Sequence, residues 1–520
     1  MTHDSTSHRI FKISELTRLI ATELIPIGQK SAVNLACACR YLEEPVLSTL
    51  WETQHLVHVL LEVLPEGAWD YTRLEPGRKI VRDLDPVGEI ERLNLRQFQF
   101  RIVGNPSPEA WSRVHRYASW MHRIHVDEWV SPLQDGTLRQ LRLNSPTNSR
   151  WFPALRYLSW CFTKHNTSYA DLFFSPHLEK VSIFMSSAWK GSEIPYDLLP
   201  AIASTISALP GPNLRDLFIS MEDHMVPWEY FEESLSSVVL RCGSSLTDFI
   251  SPIPLSDAAL NHLIHLPHLR IWYLEGLPPN YHVSPLPLTF PPLTDLTLGE
   301  GAYGWLSLFG RLEDCAFATR GVTPLFRVKE SLETLNFPDL SGPITDFSFA
   351  SPVQVFRNLR CLNVNDLCPE GDDGRCIFKL NNDDVTKLAM ALSQLEYLHL
   401  GHPCFANTCA TTVSCLLPIS VYCVKLGSLG IHFNTTNIIE DLENISEDPR
   451  FQELRSLPRC SLSYLDVYLM PLPLDDSDLE TMARGFIEIL PSLKHCEGRD
   501  NMWGEFCDTL ENLVAPEHHQ

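Results

Sequence analysis

Large apolar residues return along this chain in one spacing, Leu-x-x-Leu-x-Leu, seen cleanly at Leu293-Thr294-Asp295-Leu296-Thr297-Leu298. Close copies stand at Leu138/Leu141/Leu143, Leu214/Leu217/Ile219, Leu332/Leu335/Phe337, Leu359/Leu362/Val364, Leu395/Leu398/Leu400 and Leu462/Leu465/Val467. Looser ones stand at Ile90/Leu93/Leu95, Leu155/Leu158/Trp160, Leu178/Val181/Ile183, Leu269/Trp272/Leu274 and Leu426/Leu429/Ile431. The last two apolar positions of each copy alternate with polar ones, which predicts a short, half-buried strand. Between copies, apolar residues at helical spacing predict helices over 108–121, 196–209, 229–240, 257–266 and 383–392. Ser477-x-x-Glu480 predicts a capping box opening one more, stopped before Pro491. Pro153, Pro176, Pro212-Asn213, Pro267 and Pro292 stand just before strands, where they end a helix and turn the chain inward.

A strand this short buries too little to be stable alone, so its copies must stack. Strand, turn and helix repeated in this way predict an α/β fold over 90–500: a curved leucine-rich-repeat solenoid with parallel strands on the concave face and helices on the convex face. Spacing between copies is irregular, and the long intervals 301–329, 368–382 and 403–425 are candidate function-specific loops. Residues 501–520 form a C-terminal cap and tail, with a helical pattern over 503–514.

Residues 10–52 have a different pattern. Ile13, Leu16, Ile20 and Leu24 share one helix face, and Pro26 and Gly28 end that segment. Ala32, Leu35, Ala36 and Cys39 make a second apolar face, and Pro45 opens a third helix carrying Val46, Leu47, Leu50 and Trp51. Residues 53–89 then supply a connecting helix and linker, too short and apolar for a flexible tether. The order of residues through 10–52 resembles an F-box, and "SAVNLACACRYLEEPVLSTLWE" is similar to that of fungal F-box proteins. Leu16, Ile20 and Leu24 match its first helix, Ala38-Cys39-Arg40 its central segment and Leu50-Trp51 its end. Ile13-Ser14 stands where the motif opens on Leu-Pro.

This resemblance implies a substrate-recognition subunit of a cullin-type ubiquitin ligase that performs no bond-making step itself. It would bind a Skp-family adaptor through Leu16, Ile20, Leu24, Leu35, Leu50 and Trp51, and through the adaptor a cullin. Kept beside it is a leucine-rich-repeat interaction scaffold with no ubiquitin role.

Composition narrows the setting. The polar start at 1–9 predicts no secretory signal, and 15 cysteines then read as reduced thiols of a cytoplasmic or nuclear protein. The sequons at Asn166, Asn434 and Asn444 are then chance matches. A net charge of −23 repels phosphate backbones, so the expected partner is a protein target with a basic surface, not nucleic acid or a membrane.

Candidate chemistry is thin. Gly299-x-Gly301-x-x-Gly304 has dinucleotide spacing, but no acidic residue ends a strand about 20 residues on. His262, His265 and His268 have no thiol or carboxylate to complete a metal site, and Pro267 breaks their helix. Asp475-Asp476-Ser477-Asp478 lacks the glycine and glutamate of a calcium loop. These patterns predict no catalytic set, no metal and no cofactor. What remains is the row of strand residues between the apolar ones: Tyr273, Glu275, Asp295, Asn336, Asn363, Tyr397, His399, His432, Tyr464, Asp466 and Tyr468. Aromatic and acidic groups together suit a target carrying Lys or Arg.

Overall fold

The computed structural model describes residues 14–25, 29–52, 60, 63–65, 67–73, 98–126, 135–145, 150–163, 166–185, 195–220, 229–274, 292–298, 331–337, 353–365, 380–401, 410–447, 449–454, 457–467, 472, 476–498 and 501–514. The expected strand at Ile90/Leu93/Leu95, the glycine triplet and the interval 301–329 lie outside these residues. The chain divides into two compact units, Met1–Pro252 and Ile253–Gln520. Parallel strands alternate with helices in both, so the fold is mixed α/β.

The first unit opens with α1 (Ser14–Leu24), α2 (Gln29–Ala38) and α3 (Arg40–Trp51). Their core is Ala21, Ala32, Ala36, Leu42 and Val46, flanked by Ile25, Leu35, Cys39 and Leu47. Three alanines at the contacts let the helices approach closely. The third helix starts before Pro45, not at it. Arg40–Glu44 are good helix formers, and the missing N–H of Pro45 costs a single bond. An antiparallel pair follows, β1 (Trp69–Arg73) on β2 (Phe98–Ile102), with Trp69 opposite Ile102. Its first strand lies where a helix and linker were expected and its second where the repeats were expected to have begun; their aromatic residues favour strand. Ile102 N–H donates to Thr137 Oγ1 at 3.1 Å.

The parallel strands of this unit are β3 (Arg123–Val126), β4 (Tyr157–Phe162), β5 (Lys180–Met185), β6 (Asp216–Ser220) and β7 (Asp248–Ser251), paired in sequence order. The helices α4 (Pro108–Ala118), α5 (Asp135–Leu143), α6 (Leu199–Ser207) and α7 (Glu229–Arg241) intervene. One expected strand is therefore a helix: Leu138/Leu141/Leu143 lies on α5. Leu138 and Leu141, three apart, share its buried face, and Leu143 is exposed. No proline or asparagine precedes this copy to stop a helix.

In the second unit, α8 (Asp257–Ile264) precedes β8 (Ile271–Leu274), β9 (Asp295–Leu298), β10 (Thr334–Phe337) and β11 (Cys361–Asn365). Then come α9 (Asn382–Ala391), β12 (Tyr397–Gly401), α10 (Leu416–Tyr422), β13 (Ser428–Ile431), α11 (Ile438–Glu447) and α12 (Pro449–Leu454). The unit closes with β14 (Tyr464–Asp466), α13 (Asp476–Ile489), β15 (His495–Glu497) and α14 (Asn501–Val514). All these strands are parallel and paired in sequence order. Within the expected loop over 403–425, the described residues 410–425 contribute to the interior, since Val413, Cys415, Leu416 and Ile419 are buried. The helix expected after Ser477 is α13, which begins at Asp476. A capping box stands at Asn381 and Asp384, opening α9.

Two polar devices fix the register. Within each unit, the carbonyl just before a strand accepts from two consecutive N–H groups at the start of the next. Arg156 O takes Glu179 (2.8 Å) and Lys180 (2.9 Å), and Arg360 O takes Glu396 (2.7 Å) and Tyr397 (3.0 Å). Over two runs of three strands the residues at that position also alternate in charge. Arg156 and Arg215 flank Glu179 at 3.3 and 3.9 Å, and Glu333 and Glu396 flank Arg360 at 3.8 and 3.7 Å. Exposed pairs contribute at most about 1 kcal/mol each, so their effect is on alignment more than stability. Prolines in the preceding turns leave their carbonyls free, and neighbouring repeats use them: Ser175 donates to Pro153 O, and Asn213 to Pro176 O, both at 2.8 Å.

The ladder of the first unit begins inside α1–α3. Glu52 O, just past α3, accepts from His122 N–H (3.1 Å) and Arg123 N–H (3.0 Å) as a strand carbonyl would. Trp51 packs at a tilt against Tyr117 of α4 with centroids 5.2 Å apart, and Glu43 pairs with Arg116 at 3.1 Å. The end of α3 thus takes the place of a preceding strand.

At the other end of the chain, Trp503, Phe506 and Leu510 of α14 are buried, and Phe506 meets Phe486 of α13 at 5.3 Å. A methyl added at Gly498 would lie 2.5 Å from Trp503 Cγ. Gly498→Ala is expected to cost about 1–3 kcal/mol in urea unfolding, and an unchanged midpoint would mean Trp503 does not pack there. Among the described residues, no helix is long and apolar enough to cross a membrane.

Candidate functional site

Two surfaces carry residues whose chemistry the fold leaves on the outside. The first is a face of α1. Its buried residues are Thr17 and Ala21, while Leu16 (39% exposed), Leu19 (62%) and Ile20 (36%) point outward. The hydrophobic effect normally turns such side chains in and small ones out. Here the three-helix core takes the alanines because large side chains would hold the helices apart. Val33 of α2 and Tyr41 of α3 are also exposed.

The six residues expected to meet an adaptor divide accordingly. Leu16 and Ile20 are exposed. Leu24 is half-buried, and Leu35 is half-buried against the helix core. Leu50 is buried, and Trp51 is engaged with Tyr117. Leu19, three residues after Leu16, and Val33 on α2 belong to these exposed apolar residues and were not among those expected.

The second surface is the strand face of the second unit. Strand register aligns the residues that alternate with its buried ones in two rows. One runs Asp295, Thr334, Cys361, Tyr397, Ser428, Tyr464 and His495. The other runs Tyr273, Thr297, Asn336, Asn363, His399, Gly430, Asp466 and Glu497. Period-two alternation puts these on one side while Leu296, Leu335, Leu362, Leu398, Leu429 and Leu465 are buried.

Around β12–β15 the rows become a connected cluster. His399 Nε2 lies 3.5 Å from Asp466 Oδ2 and stacks with Tyr397, centroids 5.6 Å apart. Its ring crosses Gly430 on the strand between them, where any Cβ would fall 1.7 Å from His399 Cδ2. Tyr464 donates its hydroxyl to Glu497. That bond, then burial, raises the Tyr464 pKa. Burial first, then the neighbouring Cys361 and Asp466, raises that of Tyr397. Both phenols therefore remain protonated donors well above neutral pH. Asn336 donates to Thr297 Oγ1 at 3.3 Å, and Asn363 Oδ1 is enclosed with no partner among the described residues.

Of the expected target-binding residues, the register brings together Tyr273, Asp295, Asn336, Asn363, Tyr397, His399, Tyr464 and Asp466. Glu275 and Tyr468 lie outside the described residues. His432 is a correction: β13 ends at Ile431, and His432 is buried, 3% exposed, with its backbone N–H on Leu400 O (3.2 Å). Gly430, Cys361 and Glu497 were missed, although the same alternation marks them. The first unit's strand face is less acidic and carries His125 against Tyr157 (5.0 Å) and Phe184 against Phe218 (5.4 Å).

Among the described residues no group of three or more His, Cys, Asp or Glu is placed to hold a metal ion. Asn166, the first sequon, is buried and donates to Cys161 O at 2.7 Å. Compared with models of known protein families and with curated proteins, the chain matches none.

Proposed function

We propose that this chain is the substrate-recognition subunit of a cullin-type ubiquitin ligase, with α1–α3 as its F-box and the strand repeats as a leucine-rich-repeat solenoid. The observation that carries the reading is α1, which spends its small residues on the core and leaves Leu16, Leu19 and Ile20 for another protein. The joint through Glu52, Trp51 and Glu43 adds support, because a receptor must hold its target at a fixed position relative to the adaptor. The Tyr397–His399–Tyr464–Asp466–Glu497 cluster would take a Lys- or Arg-bearing segment of the target, through charge-assisted hydrogen bonds and cation–π contact.

The test is gel filtration of the purified chain with a Skp-family adaptor. Wild type is expected to co-elute with it, and Leu16→Asp with Ile20→Asp to weaken binding by about 100-fold or more while circular dichroism is unchanged. A wild-type chain that never co-elutes, or a double variant that binds equally well, would leave an interaction scaffold with no ubiquitin link.

A further inference from the structure

The cysteines of this chain sit in unlike surroundings. Cys242 and Cys423 are buried, and burial pushes both thiols up to about 12. Such thiols are poor nucleophiles. Cys496 and Cys507 are arranged differently. Cys496 is the central residue of β15 and faces the interior. Gly498, just past the end of β15, lies against Trp503 of α14. Cys507, next to buried Phe506, is half-exposed on the same helix, and its sulfur contacts the Cys496 carbonyl oxygen. Both cysteines thus belong to the one junction of β15 and α14.

We propose that Cys507 and Cys496 form a peroxide-responsive pair that closes reversibly into a disulfide between the last strand and the last helix. Geometry separates the two roles. Cys507 is the one a solute can reach, and Cys496 stands behind it, shielded from solvent. Electrostatics agree: the neighbouring Cys496 holds the Cys507 thiol below its usual range, while burial, then the neighbouring Cys507, raises Cys496.

The Cys507 thiolate attacks one oxygen of hydrogen peroxide, the O–O bond breaks, and hydroxide leaves, giving a sulfenic acid. The Cys496 sulfur then attacks the Cys507 sulfur. The S–O bond breaks, and the hydroxyl departs with the thiol proton as water. Two thiols lose two electrons in all, and one peroxide becomes two waters once the hydroxide is protonated. The product ties α14 to β15, a junction otherwise held by the apolar contacts of Trp503, Phe506 and Leu510. This inference is independent of the adaptor reading.

The experiment exposes the reduced full-length chain to a small excess of hydrogen peroxide, alkylates it, and maps peptides with and without dithiothreitol. A linked peptide joining Cys496 to Cys507 is expected, disappearing on reduction. Cys507 should be lost to alkylation at least about 10-fold faster than exposed Cys37. Cys496→Ser should leave Cys507 as a sulfenic acid trapped by dimedone, and Cys507→Ser should abolish the link. The proposal is overturned if Cys507 reacts no faster than Cys37, or proceeds to sulfinic acid while Cys496 stays alkylatable. The wild-type map decides this even where a variant folds poorly.

Discussion

Leu398→Ala is expected to remove about 2–5 kcal/mol from the unfolding free energy of the second unit, whereas Tyr397→Ala, one residue earlier, removes about 1. Leu398 is buried on β12, in register with Leu362 on one side and Leu429 on the other, both fully enclosed. Strands held on both flanks by backbone hydrogen bonds cannot close over the cavity, which puts the cost toward the upper part of that range. Tyr397 lies on the opposite side of the same strand, half-exposed and stacked on His399. Urea unfolding, with hydrogen exchange at β11–β13 to localise the change, separates the two. Equal costs would mean that the alternation is misassigned, and with it every residue placed on the strand face.

That alternation was legible because leucine at every second position, bounded by Pro or Asn, leaves a short strand one way to bury itself. It failed where a second geometry satisfies the same spacing. Leu138 and Leu141 are as well placed for a helix turn as for a strand start, and the Asp135-Gly136 before them stops nothing. The charge column through Arg156, Glu179 and Arg215, like that through Glu333, Arg360 and Glu396, is invisible along the chain. Its members are tens of residues apart, and only alignment of the repeats shows that one column alternates in sign. The apolar stripe of α1 could be read, but not its direction. Leu16, Ile20 and Leu24 mark an amphipathic helix whichever side meets the core, and the deciding fact is that Ala32 and Ala36 leave room only for Ala21. Trp51 was legible as apolar, but its engagement with Tyr117, 66 positions on in sequence (117 − 51), belongs to tertiary structure alone.

The orientation of α1 is what the adaptor reading rests on, and two adjacent substitutions test it. Ala21→Asp is expected to unfold the three N-terminal helices, while Ile20→Asp changes stability by no more than about 0.5 kcal/mol. Ala21 is fully enclosed among Ala32, Ala36, Leu42 and Val46. A carboxylate there would be buried without a partner, at a cost of several kcal/mol. Leu42 and Val46 contribute roughly 1.5–3 kcal/mol each and the alanines less, so a core this small cannot offset that cost. Ile20 already meets solvent, and a charge there leaves the packing intact. Trypsin reads the difference directly, since Arg18 and Arg40 lie within α1 and α3. Rapid cleavage at both sites in Ala21→Asp, with wild-type resistance in Ile20→Asp, fixes which face is inside. Loss of adaptor binding in the folded Ile20→Asp chain then reports on contact and not on folding. The reverse pattern would make Leu16 and Ile20 core residues and leave α1 with no apolar face to offer a partner.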